Sequence, residues 1–240
     1  MEPSPLDERR LGKVARPAME PNAEIVEQLV DDFDAVACEY CEDYKTAGLS
    51  SSSRLLLDSI ITGGLTGKSL AELGCGPGGF TVESLKQGAA SCVGIDLSPE
   101  MIKAANQLAN SLGMSDRATF FVGNAAAVQI PRSDIVVMDK MLCCFPDAEV
   151  ILKNAIGACN ETVAFVVPRD QGLFLIPLRV GVYFKNLVEK IRGKKVGWLY
   201  LHSLRTIDNM LQRSGFTNKK RVTSGFWLVF TYSKNGKPIS

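Results

Sequence analysis

Two acids and a run of glycines carry the chemistry that can be read in this chain. Residues 69–79 run Ser-Leu-Ala-Glu-Leu-Gly-Cys-Gly-Pro-Gly-Gly. An apolar stretch, Leu70, Ala71 and Leu73, holds the acid Glu72 and passes at once into Gly74, Gly76, Gly78 and Gly79. Glycines in such a turn permit positive φ and let backbone N–H groups approach a ligand with no Cβ between them. A second short apolar stretch, Cys92-Val93-Gly94-Ile95, ends in Asp96. An acid at that point is placed to accept hydrogen bonds from a ribose diol. Together these features describe a nucleoside-bearing cofactor held on the edge of an α/β sheet.

The literal spacing Gly74-x-Gly76-x-x-Gly79 also fits the dinucleotide fingerprint. Two details favour S-adenosylmethionine (SAM) over a nicotinamide dinucleotide. Glu72 sits just before the turn, where a carboxylate orients it and, through water or backbone, the cationic amino-acid end of SAM. A pyrophosphate gains nothing from an acid there. The motif also begins near residue 70, behind a helical segment, whereas dinucleotide folds usually open with it.

The block Glu72-Leu-Gly-Cys-Gly-Pro-Gly, followed by Gly94-Ile-Asp-Leu-Ser-Pro-Glu-Met101, resembles the class I SAM-dependent methyltransferases. The resemblance implies that Gly74, Cys75, Gly76 and Gly78 lie against the methionine part of SAM. It implies that Asp96 and Leu97 meet the ribose; Met101 is a candidate to pack on the adenine or ribose, with a plain core role as its alternative. After the third strand the family usually carries an acid that accepts from the adenine amine. This chain offers Asn124, beside Ala125, whose side-chain carbonyl also accepts. A plain turn role for Asn124 stays open.

The fourth strand runs into Met138-Asp139-Lys140-Met141-Leu142-Cys143-Cys144-Phe145-Pro146. In class I enzymes this edge faces the transferred methyl. It lacks the Asn/Asp-Pro-Pro-Tyr sequence of many enzymes that methylate amide or base nitrogens, so that chemistry is disfavoured. Asp139 is a candidate for the SAM amino group, or for the acceptor as a catalytic residue, against a solvated strand-end acid. His202 is the only histidine and the candidate general base near neutral pH; a packed or surface role is its alternative. Cys143 and Cys144 read as pocket lining. Tyr40 and Tyr44 belong to an N-terminal helix that in relatives folds over the cofactor.

Residues 171–201 are apolar up to Phe184 and basic from Lys185 to Lys195. They read as an insert that covers the acceptor, as a contact with an anionic membrane surface, or as a buried helix with a solvated basic end. The order Asp139, Phe145-Pro146-Asp147, Pro168-Arg169 and a late histidine is loosely similar to the magnesium-protoporphyrin O-methyltransferases. Cys144-Phe145-Pro146 stands where those carry His-Tyr-Pro. That likeness implies a large, flat or lipophilic acceptor.

These residues need an alternating α/β frame. Apolar runs at 69–73, 91–96, 118–122, 134–138 and 162–167 predict five parallel strands. Helical patterns at 23–45, 54–62, 80–87, after Ser98-Pro99-Glu100, at 147–158 and at 206–214 lie around them. Two β-rich runs, 218–222 and 226–232, predict a C-terminal hairpin. The expected fold is therefore a Rossmann-like, doubly wound seven-stranded sheet with N-terminal helices and an insert after strand five. Residues 1–22, polar and proline-rich, read as a disordered tail with no signal peptide, and 23–240 as one domain.

Charge is nearly balanced, 27 Lys+Arg against 26 Asp+Glu. That balance argues against DNA and against broad capture of RNA. Seven scattered cysteines suit a reducing, cytoplasmic setting. Cys38-x-x-Cys41 has no second pair, so no metal is expected. The sequence thus points to SAM-dependent methyl transfer onto a small, apolar or large flat molecule. The alternatives are an RNA methyltransferase, using basic runs at 185–195 and 219–221, and a non-catalytic SAM-binding regulatory or scaffold protein.

Overall fold

The computed structural model describes residues 23–169, 180, 181, 184, 188 and 199–234. Five strands form where apolar runs end in an acid or a turn: β1 (Ser69–Leu73), β2 (Ser91–Asp96), β3 (Ala118–Val122), β4 (Ser133–Asp139) and β5 (Cys159–Pro168). They pair in parallel, and β6 (Phe216–Ser224) and β7 (Trp227–Lys234) add an antiparallel hairpin beside β5. The sheet order is β3-β2-β1-β4-β5-β7-β6. Burial on both faces explains why β1 and β4 read as continuous apolar runs rather than alternating ones. The chain winds outward from β1 to β3 and then returns to β4 on the other side of β1. Loops after β1 and β4 therefore diverge and leave a crevice at the C-terminal ends of the strands.

Helices α1 (Ala23–Ala47), α2 (Ser51–Thr62), α3 (Gly79–Lys86), α4 (Pro99–Ser111), α5 (Ala148–Ala158) and α6 (Leu204–Arg213) flank the sheet. Leu56, Ile60, Phe80, Leu85 and Ala105 fill one face; Ile151, Leu152, Leu211, Phe165 and Tyr232 fill the other. Serines set the starts: Ser50 Oγ accepts from Ser53 N at 3.3 Å, and Ser98 Oγ accepts from Met101 N at 3.0 Å. The Ser50 cap explains why α2 begins before the expected Arg54. β5 begins before Thr162 because α5 runs into Cys159 without a loop.

Helix α1 buries Leu29 and Ala37 and packs against α4. Its Asp34 carboxylate accepts from Ser98 Oγ and from Glu100 N, so one acid of α1 finishes the cap of α4. At the far end Tyr44 donates to Glu83 Oε1 of α3 at 2.8 Å. α1 thus spans the mouth of the crevice. Among the described residues, no helix is long and apolar enough to cross a membrane. The expected tail, 1–22, and most of the expected insert, 171–201, lie outside the described residues. Within that insert Val180, Phe184 and Val188 are helical and exposed.

Candidate active site

The turn after β1 is rich in glycines, which bring backbone up to the crevice beside Cys75 and Pro77. Gly74 has φ +70, and a Cβ there would lie 2.5 Å from Met141 Cγ. Gly78 has φ +81, and a Cβ there would lie 3.0 Å from Ala105 Cβ. Larger residues are excluded at both positions by conformation and by space. The turn is tied to β2 by Gly74 N and Cys75 N, which donate to Ile95 O at 2.7 and 3.1 Å.

Asp96 completes this tie. Its Oδ2 accepts from Gly76 N at 2.8 Å and its Oδ1 from Ser98 N at 3.0 Å. The carboxylate thus holds both the glycine turn and the start of α4, a structural duty that sequence reading had not assigned to it. Each oxygen retains a lone pair for a ligand hydroxyl. Burial pushes the Asp96 carboxyl up, against the backbone hydrogen bonds that pull it down.

Glu72 is 2% exposed, and its Oε2 accepts from Thr81 Oγ1 of α3 at 2.5 Å. Burial raises its carboxyl well above the usual range; the Thr81 bond opposes this, while repulsion from Asp139 and Asp96 adds to it. Glu72 therefore anchors α3 behind the turn as well as bordering the crevice. Thr81 escaped the sequence reading because it lies outside the glycine motif.

Asp139 ends β4. Among the described residues its buried Oδ1 accepts no hydrogen bond, and Lys140 Nζ is 3.8 Å away. Burial pushes this carboxyl up, with Lys140 and Ser53 opposing. Lys140 itself has φ +56, the positive-φ residue other than glycine among those described. Its Nζ donates to Ser50 Oγ at 2.6 Å and Ser53 Oγ at 2.9 Å and lies 5.7 Å from the centre of the Trp227 ring. The sequence reading passed over Lys140, although it directly follows Asp139.

These elements enclose a cavity of about 490 Å³. Glu72, Gly74, Cys75, Gly76, Asp96, Leu97, Met101, Ala125 and Asp139, all expected at a cofactor, line it. The rest of the lining is largely apolar: Cys143, Cys144 and Phe145 after Asp139, Tyr40, Leu199 and Trp227, and Phe33, next to the Asp34 that bonds the start of α4. Gly78 lies behind the turn at the start of α3 rather than in the lining.

The structure does not bring Asn124 or His202 into the lining. Asn124 Oδ1 accepts from Ala126 N at 2.9 Å, which shapes the loop after β3 and leaves Gly123 and Ala125 on the cavity. His202 Nε2 lies 3.0 Å from Leu142 O, a carbonyl that can only accept, so Nε2 carries a proton. The Cys143 thiol, beside Cys144 and buried, is pushed up and holds its proton at neutral pH.

The donors and acceptors fit SAM. Oδ1 of Asp139 is a buried acceptor with no hydrogen-bond donor among the described residues, as an ammonium group requires. Asp96 has lone pairs for a diol, and the turn leaves backbone free to approach. Glu72, Asp96 and Asp139 supply negative charge for a sulfonium that carries net positive charge.

Known proteins agree with this geometry. The methyltransferase domain family matches residues 70–161. The ribosomal protein L11 methyltransferase of Escherichia coli is 33% identical over 90 residues, covering 38% of this chain and 30% of that protein. The match thus spans between a quarter and a third of the length of such relatives. Magnesium protoporphyrin IX methyltransferase from Synechocystis PCC 6803 with bound S-adenosylhomocysteine (SAH) superposes with a TM-score of 0.66 at 18% identity, over 88% of this chain and 100% of that one. A putative RNA methyltransferase from Pyrococcus horikoshii gives 0.55 at 17% identity, over 76% and 82% of the two chains. The domain match runs from the glycine turn past Asp139, so residues 70–161 match a methyltransferase domain, and the fold around them is shared with the Synechocystis enzyme solved with SAM or SAH.

Proposed function

We propose that this chain transfers the methyl group of SAM to a small molecule that is apolar, or large and flat. The observation that carries this reading is the apolar lining that follows Asp139 in the chain, Cys143, Cys144 and Phe145, with Tyr40, Leu199 and Trp227 on the same cavity. In the proposed arrangement Asp96 receives the ribose hydroxyls and Asp139 Oδ1 receives the ammonium group. The Gly74–Gly78 turn lies along the methionine part, and Leu97 and Met101 pack on the nucleoside. Glu72 and Thr81 keep the turn in place.

Methyl transfer breaks the bond from carbon to sulfur and leaves its electron pair on sulfur. The leaving group needs no acid, so the protein contributes alignment and exclusion of water. His202, which lies outside the cavity lining, takes no part in this proposal. The Synechocystis neighbour, named for a porphyrin, supports a flat acceptor, and the Pyrococcus neighbour keeps RNA as the competing class. Balanced charge counts against RNA.

The test is turnover of methyl-labelled SAM with a metabolite extract, total RNA and a protein extract offered separately. Label is expected in solvent-extractable small molecules. Label confined to RNA or protein would overturn the reading, and no turnover despite SAM binding would indicate a non-catalytic SAM-binding protein.

A further inference from the structure

A second cavity, a cleft of about 470 Å³, lies between α5 and the loop from β3 to β4, and it shares no lining residue with the first. One wall is a face of α5. Val150, Lys153, Asn154 and Gly157 line it at i, i+3, i+4 and i+7, the spacing of a single helical stripe. Ile151, Leu152 and Ala155 of the same helix are buried in the core instead. The other wall is the loop, with Ala126, Gln129, Ile130 and Arg132.

The α5 stripe is not shaped by the needs of folding. Gly157 lies inside the helix without positive φ, and a Cβ there would meet nothing within 4 Å. Glycine is a poor helix former, and neither the backbone nor the packing asks for it at this position. Its bare Cα deepens the cleft. Val150 adds an apolar side chain that is 48% exposed.

The charge of the cleft has one sign. Arg132 and Lys153 are its charged lining residues, and no acid stands with them. Arg132 Nη1 donates to Asn160 Oδ1 at 3.5 Å, a contact at the limit of a hydrogen bond. A guanidinium has five N–H donors in a planar fork. It therefore keeps an edge for bidentate contact with a carboxylate or phosphate, and Lys153 adds a point charge. Two cations beside exposed apolar surface suit an anion that carries an apolar body.

The loop joins this cleft to the cofactor. Ala125 lines the SAM cavity, and its neighbour Ala126 lines the cleft. Asn154 Nδ2 donates to Ala125 O and to Val128 O, each at 2.8 Å. A side chain of the cleft thus fixes the backbone of a residue on the cofactor cavity. A ligand bridging Arg132 on the loop and Lys153 on α5 clamps the two together. SAM then has less freedom of the loop to remove when it binds.

We propose that this cleft is an effector site for a small organic anion, a phosphate monoester or carboxylate on a compact apolar body, and that its occupancy tightens SAM binding through Asn154. Arg132 and Lys153 take the anionic group. Ile130, Val150 and the open side of Gly157 take the apolar body. By linkage, SAM tightens the anion by the same factor.

The full chain is titrated by calorimetry with phenyl phosphate, benzoate, inorganic phosphate and benzyl alcohol. SAM is titrated with and without saturating phenyl phosphate. Wild type, Arg132→Gln, Lys153→Gln, Gly157→Leu and Asn154→Ala are compared. Phenyl phosphate and benzoate are expected to bind at least tenfold tighter than benzyl alcohol and at least threefold tighter than inorganic phosphate; the tighter of the two identifies the preferred anionic group. Arg132→Gln and Lys153→Gln should each weaken them at least fivefold. Gly157→Leu places a side chain in open space, so it should fold with a melting temperature no lower than wild type and lose the binding. SAM should bind at least threefold tighter with phenyl phosphate present. Asn154→Ala should lose that gain while still binding phenyl phosphate.

Aromatic-anion binding that survives Arg132→Gln, Lys153→Gln and Gly157→Leu would place the ligand elsewhere on the chain and overturn the proposal. Equal binding of benzyl alcohol, or no binding of either aromatic anion, would overturn it too. SAM affinity left unchanged or weakened by bound phenyl phosphate would overturn the effector role. Should Gly157→Leu fail to fold, the two charge variants and the anion-to-alcohol ratio decide.

Discussion

Replacing Asp96 separates its two duties. In the structure the carboxylate accepts Gly76 N and Ser98 N, and in the proposed complex it also accepts ribose hydroxyls. A hydrogen bond to a charged group contributes about 1.5–3 kcal/mol. Loss of one such ribose contact in Asp96→Ala should therefore weaken SAM about 10- to 150-fold, at roughly 1.4 kcal/mol per tenfold. The same variant leaves two backbone donors without their acceptor, at about 1–3 kcal/mol for each that stays buried. Relief of a buried charge, seen in the raised carboxyl of Asp96, offsets part of that. Asp96→Asn keeps one acceptor and turns an NH2 toward the second donor, so it should lie between wild type and Asp96→Ala in melting temperature. Calorimetry with SAM, run beside thermal melts of the ligand-free variants, reads the two effects independently. SAM binding to folded Asp96→Ala within threefold of wild type would refute the ribose assignment.

Three other outcomes follow from the same geometry. Burial raises the carboxyls of Glu72, Asp96 and Asp139, and a bound sulfonium cation favours their ionised forms. Binding then expels protons at low pH, so SAM affinity should rise with pH through the raised carboxyl range and level off above it; SAH should show a shallower rise, and a flat SAM profile across about pH 5–8 would contradict this. Glu72, raised in the folded chain, favours folding least when ionised, so stability should decline as pH climbs from the ordinary carboxylate range through its raised value; Glu72→Gln, which can still accept from Thr81, should flatten that decline in thermal melts. Gly74→Ala should destabilise by about 1–2 kcal/mol for the left-handed backbone and about 1–3 kcal/mol for overpacking against Met141. Adding Met141→Ala should recover part of the second loss and none of the first, measured by denaturant midpoints.

Much of this fold is written in local pattern. β1, β2 and β3 occupy the residues expected of them, because each is a short apolar run closed by a glycine turn, an acid or a loop, and such runs have few other ways to be buried. The Ser98-Pro99 start of α4 and the hairpin at Ser224-Gly225 are equally local. The chemistry of the turn was also legible, since positive φ at Gly74 and Gly78 is a property that glycine announces by itself.

What sequence alone determined, then, was the strand–helix alternation, the glycine turn, and the acids Glu72, Asp96 and Asp139 at strand ends. These depend on periodicity and on backbone preference, which act over a few residues. Tertiary structure alone decided what each side chain meets. Asn124 and His202 carry the right groups, yet the first closes its own turn and the second bonds to Leu142 O, because loop geometry sets where a side chain reaches. Lys140 seemed incidental in sequence. It becomes the cation among the described lining residues because α2, ninety residues away in the case of Ser50, is folded back over β5 and β7 to present its serines. Contacts between distant segments depend on how the layers pack, and neither composition nor spacing encodes that in readable form.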